Sequence, residues 1–322
     1  MSNLENIDPA SLHSPVLLSE VLDTLQPVPG GKYLDATLGM GGHAESILKA
    51  APKSELCGLD RDKTALELAR KRLAEYRDRT HYFHLPFADF AQALTALAWK
   101  NVDGVLADLG ISSMQLDWPE RGISFSGDGP LDMRMNPQVG TKTAADLLNR
   151  LSFEELKNII ALYGEDPQAA RIARRIVEER QKNPLSTTLQ LAELVRSSYP
   201  ATWRRKARRH PATRTFQALR IAVNQELEQL EFFLEHILAW LKPGGRLVVI
   251  TFHSLEDRIV KNAIRHWEKG CICPPSQVLC TCDHKPEVKK LYKKPVCATE
   301  AELLLNPRAS SAKLRAVEKL GN

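Results

Sequence analysis

The run KYLDATLGMGGH, Lys32 to His43, decides how the rest of the chain is read. Tyr33 and Leu34 suit a buried strand, and Asp35 stands at its carboxyl end. Gly39, Gly41 and Gly42 then let the backbone turn tightly into a helix that begins near His43. A strand passing through a glycine-rich turn into a helix is the opening unit of an open α/β sheet, and such sheets bind ligands at that edge.

The residue types narrow the ligand. A dinucleotide site shows G-x-G-x-x-G with a helix N-terminus facing a pyrophosphate, whereas this run is Asp-x-Thr-x-Gly-x-Gly-Gly from Asp35 to Gly42. An acid beside a glycine loop fits a cofactor without phosphate, such as S-adenosylmethionine, whose ammonium group a carboxylate can hold; a structural turn uses the same residues. Asp35, Gly39, Gly41 and Gly42 are therefore candidate cofactor residues. A second apolar run, Glu55 to Leu59, ends in Asp60-Arg61-Asp62 before a helical pattern from Lys63 to Tyr76. Asp60 lies about 20 residues past the glycines, the spacing at which a strand-two carboxylate meets ribose hydroxyls. One of Asp60 and Asp62 reads as a helix N-cap, and Asp60, on the strand side, is the better ribose candidate.

His81 to His84 reads as a third strand, with Phe87 in the following loop placed to pack on an adenine ring and Phe90 as a core aromatic. Val102 to Leu106 with Asp108 forms a fourth strand and opens into Leu109-Gly110-Ile111-Ser112-Ser113-Met114-Gln115. Many amino-group methyltransferases carry a D-P-P-Y-like tetrad here, which accepts hydrogen bonds from the amine being methylated. This chain has Asp108-Leu109-Gly110-Ile111, so the acid is kept and the stacking aromatic must come from elsewhere.

At 322 residues the chain exceeds one average domain, and it predicts a core with a sizeable insertion. The expected fold is α/β, a Rossmann-like class I methyltransferase with a mostly parallel seven-stranded sheet and an inserted all-helical subdomain. The core is expected over 1–116 and 214–322 and the insert over 117–213. The first residues lack a basic start and an apolar export core, and no run reaches about 18 apolar residues, so a cytoplasmic protein without a membrane partner is expected. Ser19 is the expected cap of a short helix to Leu25, and the lone His13 before it reads as structural or as a ligand or RNA contact.

Past Asp117 the alternation of strand and helix stops. Pro119 to Pro137 is a long loop rich in glycine, proline and charge, and helical patterns follow at Phe153 to Tyr163, Gln168 to Lys182 and Thr188 to Ser197. The block Arg204-Arg205-Lys206-Ala207-Arg208-Arg209, with Arg214 beyond it, is uncompensated, since no acid falls between Glu193 and Glu226. With Trp203 beside it, the block suits a phosphate backbone and an unstacked base, and RNA is favoured because no groove-reading motif is present.

Thr215 to Leu241 reads as one long helix, stopped by Lys242-Pro243-Gly244-Gly245 ahead of a buried strand, Arg246 to Phe252. His253-Ser254-Leu255-Glu256-Asp257 opens the next helix, with Ser254 as expected N-cap and Asp257 as its capping-box partner; His253 and Glu256 are candidate substrate contacts. Val288 to Tyr292 and Ser311 to Val317 predict a terminal hairpin. Cys271, Cys273, Cys280 and Cys282 lie in a loop over 271–284 with His284 nearby. Disulfides are disfavoured in a cytosolic chain, and the spacing is not the common C-x-x-C. An unliganded cysteine-rich loop is the expectation here, with four thiolates on a structural zinc as its competitor.

Taken together the motifs resemble the small-subunit (16S) ribosomal RNA cytosine-N4 methyltransferases. The resemblance is carried by HSPVLL at His13, DATLGMGGH at Asp35, DLGISSMQLD at Asp108, RGISF at Arg121 and DGPLDMRM ending at Met135. It continues through HPATRTFQALRIAVNQEL at His210, FHSLEDRIVK at Phe252 and NPRASSAKLRA at Asn306, and so spans nearly the whole chain. It implies S-adenosylmethionine contacts at Gly41, Gly42, His43, Asp60, Phe87, Asp108 and Gln115. It further implies a decoding-centre cytidine of 16S rRNA in the small ribosomal subunit as methyl acceptor, and it lends the zinc no support.

A cytosine amine needs positioning and hydrogen-bond acceptors more than a strong base, so direct in-line transfer to an extruded base is expected. Asp108 is expected to act at the adenine, the amine or both; Ser112 and Ser113 to orient the base edge; and His253 to take a proton or touch the RNA. Arg204, Arg205, Lys206, Arg208, Arg209 and Arg214 are the expected RNA contacts, and a monomer or homodimer is expected. Two competing classes share these features: a small-molecule or DNA amino-methyltransferase, and a non-catalytic RNA-binding protein on the same scaffold.

Overall fold

Short apolar runs that each end in an acid become parallel strands when helices cover both faces of the sheet, because such strands bury both sets of side chains. In the computed structural model, which describes residues 15–111, 113–137, 141–206, 210–274, 277 and 279–321, with every side chain except those of Ser113 and Met114, that is the arrangement found. Along the chain come α1 (Leu18–Leu25), β1 (Lys32–Asp35), α2 (Gly42–Ala50), β2 (Glu55–Asp60), α3 (Lys63–Arg72), β3 (Thr80–His84), α4 (Phe90–Ala96) and β4 (Val102–Asp108). Seven helices follow: α5 (Ser113–Asp117), α6 (Ala144–Arg150), α7 (Phe153–Gly164), α8 (Ala169–Arg180), α9 (Thr188–Ser198), α10 (Ala201–Lys206) and α11 (Ala212–Asn224). The chain closes with α12 (Glu226–Trp240), β5 (Leu241–Thr251), α13 (Ser254–Trp267), β6 (Val288–Lys290), α14 (Glu300–Leu305) and β7 (Lys313–Lys319).

The sheet has seven strands in the order β3-β2-β1-β4-β5-β7-β6. β1 to β5 are mutually parallel, and β7 runs antiparallel to both β5 and β6. This is the class I methyltransferase arrangement expected from the sequence. Strand order reverses between β1 and β4, which makes the carboxyl ends of β2, β1 and β4 the switch-point crevice. Alternation along each strand feeds two cores: Leu34, Val105 and Phe233 lie in one, Tyr33, Leu106 and Ile250 in the other.

Two local readings are corrected. Ser19 does not cap α1, because Leu17 holds the N-cap position at φ 54 without a side-chain cap, and its N–H donates to Glu302 Oε1 at 2.7 Å instead. The helix expected over Thr215 to Leu241 is two helices, broken at Gln225, which takes the left-handed region at φ 51. A left-handed non-glycine residue costs about 1–2 kcal/mol. Burying Phe216, Leu219 and Val223 among the helices of the insert returns about 1.5–3 kcal/mol per side chain, which decides the break. The chain divides into one compact unit of residues 1–110 and 228–322 and a second from Ile111 to Leu227.

Within the second unit, the long loop is held by its own backbone. Gly122 sits at φ +67, and a Cβ there would lie 1.9 Å from Pro130 O. Asp132 and Arg134 pair through two hydrogen bonds of 2.8 Å, Met133 is fully buried, and Met135 N donates to Asn224 Oδ1 at 2.9 Å.

Candidate active site

Each of the three strands at the switch point ends in the acid anticipated for it, and the loop after β1 is stitched to both neighbours. Ala36 N donates to Leu106 O at 2.9 Å on the β4 side, and Leu38 N to Leu59 O at 2.7 Å on the β2 side. Asp108 N donates to Thr37 Oγ1 at 2.6 Å, a contact that assigns Thr37 a role no sequence signal separated from the turn. Asp60 spans the glycine loop and the next helix: Oδ2 accepts from Gly39 N at 2.8 Å and Oδ1 from Asp62 N at 2.7 Å. Of the two acids that could cap α3, Asp62 is the N-cap, accepting from Thr64 N at 3.0 Å. Gly41 takes φ +80 at the start of α2, and a Cβ on Gly42 would collide with Pro15 at 2.5 Å, so the turn accepts no larger residue.

Carboxyls gathered at one rim, Asp35 buried and Asp60 and Asp108 partly buried, resist ionisation. Burial pushes Asp35 up to about 7, with the charges of Asp108 and Asp60 adding and the Thr37 N–H opposing. Burial likewise raises Asp60 to about 6 against the Gly39 N–H, and Asp108 to about 7, where the Gly110 N–H opposes and Glu256 adds. Asp35 is almost fully buried, and Asp108 Oδ1 is a buried acceptor with no hydrogen bond among the described residues. The rim thus offers negative charge with part of its bonding capacity unused, which suits a cationic ligand bearing hydroxyls and an ammonium group.

His43 is buried at the start of α2, where Nε2–H donates to Val16 O at 2.9 Å and Nδ1 faces Asp108 Oδ2 at 3.8 Å. Phe87 lies half-buried in a short 3-10 turn, its ring edge-on to Phe233 at 5.6 Å. Gly110 allows Phe252 to lie against it, since a Cβ there would be 2.8 Å from the ring. This supplies an aromatic beside the β4 end, a part missing from the sequence motif and traceable only through packing. Gln115 is buried on α5 in the second unit. Ser112 lies outside the described residues, and Ser113 begins α5.

The cap of α13 falls one residue earlier than the sequence reading. His253 Nδ1 accepts from Glu256 N at 3.4 Å, Glu256 Oε2 accepts from Phe252 N at 2.8 Å, and His253 Nε2 lies 3.1 Å from Glu256 Oε1. Histidine is an uncommon N-cap, so the Ser254 pattern misled. Asp257, expected as capping partner, instead binds Arg315 at 2.7 Å and Lys313 at 3.4 Å, tying α13 to β7.

In the second unit, Arg204, Arg205 and Lys206 occupy α10, the last two exposed, and the buried Nε of Arg204 makes no hydrogen bond among the described residues. Trp203 is 40% exposed and stacks on Tyr199 at 4.3 Å. Arg214 is exposed and donates to Glu165 O at 2.8 Å. Arg208, Arg209 and His13 lie outside the described residues. In the first unit, Cys271, Cys273, Cys280 and Cys282 converge. No helix of the described residues is long and apolar enough to cross a membrane.

Comparison with known proteins agrees with this architecture along its whole length. The chain is 61% identical over 308 residues to a protein of Desulfovibrio desulfuricans named ribosomal RNA small subunit methyltransferase H, covering 96% of this chain and 94% of that one. Proteins of the same name from Nitratidesulfovibrio vulgaris strain DP4 and Maridesulfovibrio salexigens are 59% and 52% identical, covering 96% and 97% of this chain and 95% and 97% of theirs. Residues 10–320 match the model of the MraW methylase family, and the chain belongs to that family.

Proposed function

We propose that this methylase transfers a methyl group from S-adenosylmethionine to the exocyclic N4 of a cytidine in the 16S rRNA of the small ribosomal subunit, in the cytoplasm. The observation that carries the proposal is the buried, unsatisfied Oδ1 of Asp108 at the end of β4, between a donor-binding rim and the aromatic ring of Phe252. Bound S-adenosylmethionine supplies an electrophilic methyl on sulfur. Asp35 would hold the ammonium group, Asp60 would share its remaining lone pairs with the ribose hydroxyls, and the Gly39 to Gly42 turn would admit the chain of the donor. Phe87 would pack on the adenine, and Phe252 would take the stacking place of the absent tetrad aromatic.

Asp108 accepts a hydrogen bond from the cytosine amine, which turns the nitrogen lone pair toward the methyl carbon. An amine that had accepted a methyl group would have one proton to lose, and Asp108 is the acceptor placed to receive it. Its carboxyl, pushed up to about 7, is matched to receive a proton near neutral pH. His253, occupied in its own helix cap, is not needed for that step. Arg205 and Lys206 hold the RNA backbone, and Trp203 offers a stacking face to an unpaired base.

The test is incubation of the protein and methyl-labelled S-adenosylmethionine with 30S particles and with naked 16S rRNA, followed by nucleoside analysis. Label in N4-methylcytidine supports the proposal. Label on another atom, or transfer only to DNA or small amines, refutes it.

A further inference from the structure

The connection between α13 and β6 is long, and its described residues form no helix or strand, whereas compact domains rarely hold irregular loops beyond about 12–15 residues. Its base is closed by Glu287 N donating to Trp267 O at 2.8 Å. Hydrophobic collapse does not shape the rest, because Ile272 is 50% exposed and Leu279 is 78% exposed. Yet four cysteines from the two ends of this loop meet, their sulfurs all within 4.8 Å of one another.

We propose that Cys271, Cys273, Cys280 and Cys282 bind one zinc ion that staples this loop. A tetrahedral site with Zn–S bonds of about 2.3 Å requires sulfurs about 3.8 Å apart. Here Cys282 Sγ stands 3.7 Å from Cys271 Sγ and 3.5 Å from Cys280 Sγ. A disulfide needs about 2.05 Å, and all four cysteines are free. The span leaves room for one ion and none for an iron–sulfur cluster, whose thiolates sit around several metal atoms.

Backbone N–H groups point at the same sulfurs, as thiolates bound to a metal require from their surroundings. Cys273 N donates to Cys271 Sγ at 3.4 Å, and Ile272 N to Cys282 Sγ at 3.5 Å. The Cys271–Cys273 pair thus forms a small turn folded around sulfur instead of around an apolar side chain. Four thiolates on a divalent ion leave two negative charges, and Lys269 and Lys285 stand next to the cluster in the chain to offset them. The unliganded loop expected from the sequence gives no reason for four thiols, two of them exposed and two partly buried, to converge.

The protein, purified without an affinity tag or added metal, is analysed by plasma mass spectrometry and by zinc release to a colorimetric chelator on thiol modification. The expected result is one zinc per chain, lost in the Cys271→Ser/Cys282→Ser double variant while affinity for S-adenosylmethionine is retained as a check on folding. Exchange with Co2+ should give the intense visible bands of a tetrahedral thiolate site in the parent and not in the variant. Absence of both zinc and the cobalt bands overturns the proposal. So does zinc retained by the double variant, stoichiometric iron in its place, or a Cys271–Cys282 or Cys280–Cys282 disulfide in freshly isolated protein.

Discussion

Asp35→Asn keeps the acceptor that receives the Thr37 N–H and removes only the charge. In the free protein burial pushes this carboxyl from 3.8 up to about 7. At about 1.36 kcal/mol per pKa unit, keeping Asp35 ionised above that pH costs the fold up to about 4 kcal/mol. Folded Asp35 binds its proton more tightly than unfolded Asp35. Its contribution to stability is therefore greatest below about pH 4, falls as pH rises to about 7, and is level beyond. The asparagine variant should be more stable than the parent at about pH 8 and equal to it near pH 4. Ligand binding reverses the preference, because a cationic group on the ligand favours the carboxylate. Binding to the parent should expel a proton near neutral pH and tighten as pH rises to about 7; the variant should lose affinity and the Asp35 share of that release. Urea unfolding across the pH range and calorimetric titration with S-adenosylmethionine in two buffers of different ionisation enthalpy measure both effects. A variant less stable than the parent at high pH, or one binding the donor with parental affinity and proton release, would refute the assignment.

Asp108→Asn should lower turnover by about 10²–10⁴ and abolish the rise in rate as pH climbs through about 7, with donor affinity measured alongside; parental turnover removes Asp108 from the chemistry. Gly122→Ala, with a positive φ and a Cβ 1.9 Å from Pro130 O, should cost more than the about 1–2 kcal/mol of left-handed strain alone, read as a lower urea midpoint; an unchanged midpoint refutes the close approach. Replacing Arg204, Arg205 and Lys206 by alanine removes three cations, so the slope of log affinity for single-stranded 16S rRNA segments against log salt should shrink by roughly 2, with donor affinity intact. An unaltered slope places RNA binding elsewhere.

The strand-acid-glycine units were legible because each is local. Apolar runs ending at Asp35, Asp60 and Asp108 needed only side-chain preferences to be read as strand ends, and a parallel sheet puts strand ends on one side. The helix caps at Ser152 and Thr187 follow the local Ser/Thr-x-x-Glu/Gln pattern and form both hydrogen bonds of a capping box. Where a second cap was chemically plausible, at Ser254, the pattern chose wrongly, because the choice between His253 and Ser254 depends on where β5 releases the chain.

By itself, then, the amino-acid order determined the class I sheet, the three acids at its carboxyl edge and the presence of a basic helical insert, since these rest on periodicity and on neighbours in the chain. Tertiary structure alone decided the break at Gln225, the approach of Phe252 to Gly110, the unsatisfied oxygen of Asp108 and the meeting of four cysteine sulfurs. Each of those depends on groups distant along the chain or on packing set against local strain, and neither spacing nor propensity records which partner wins.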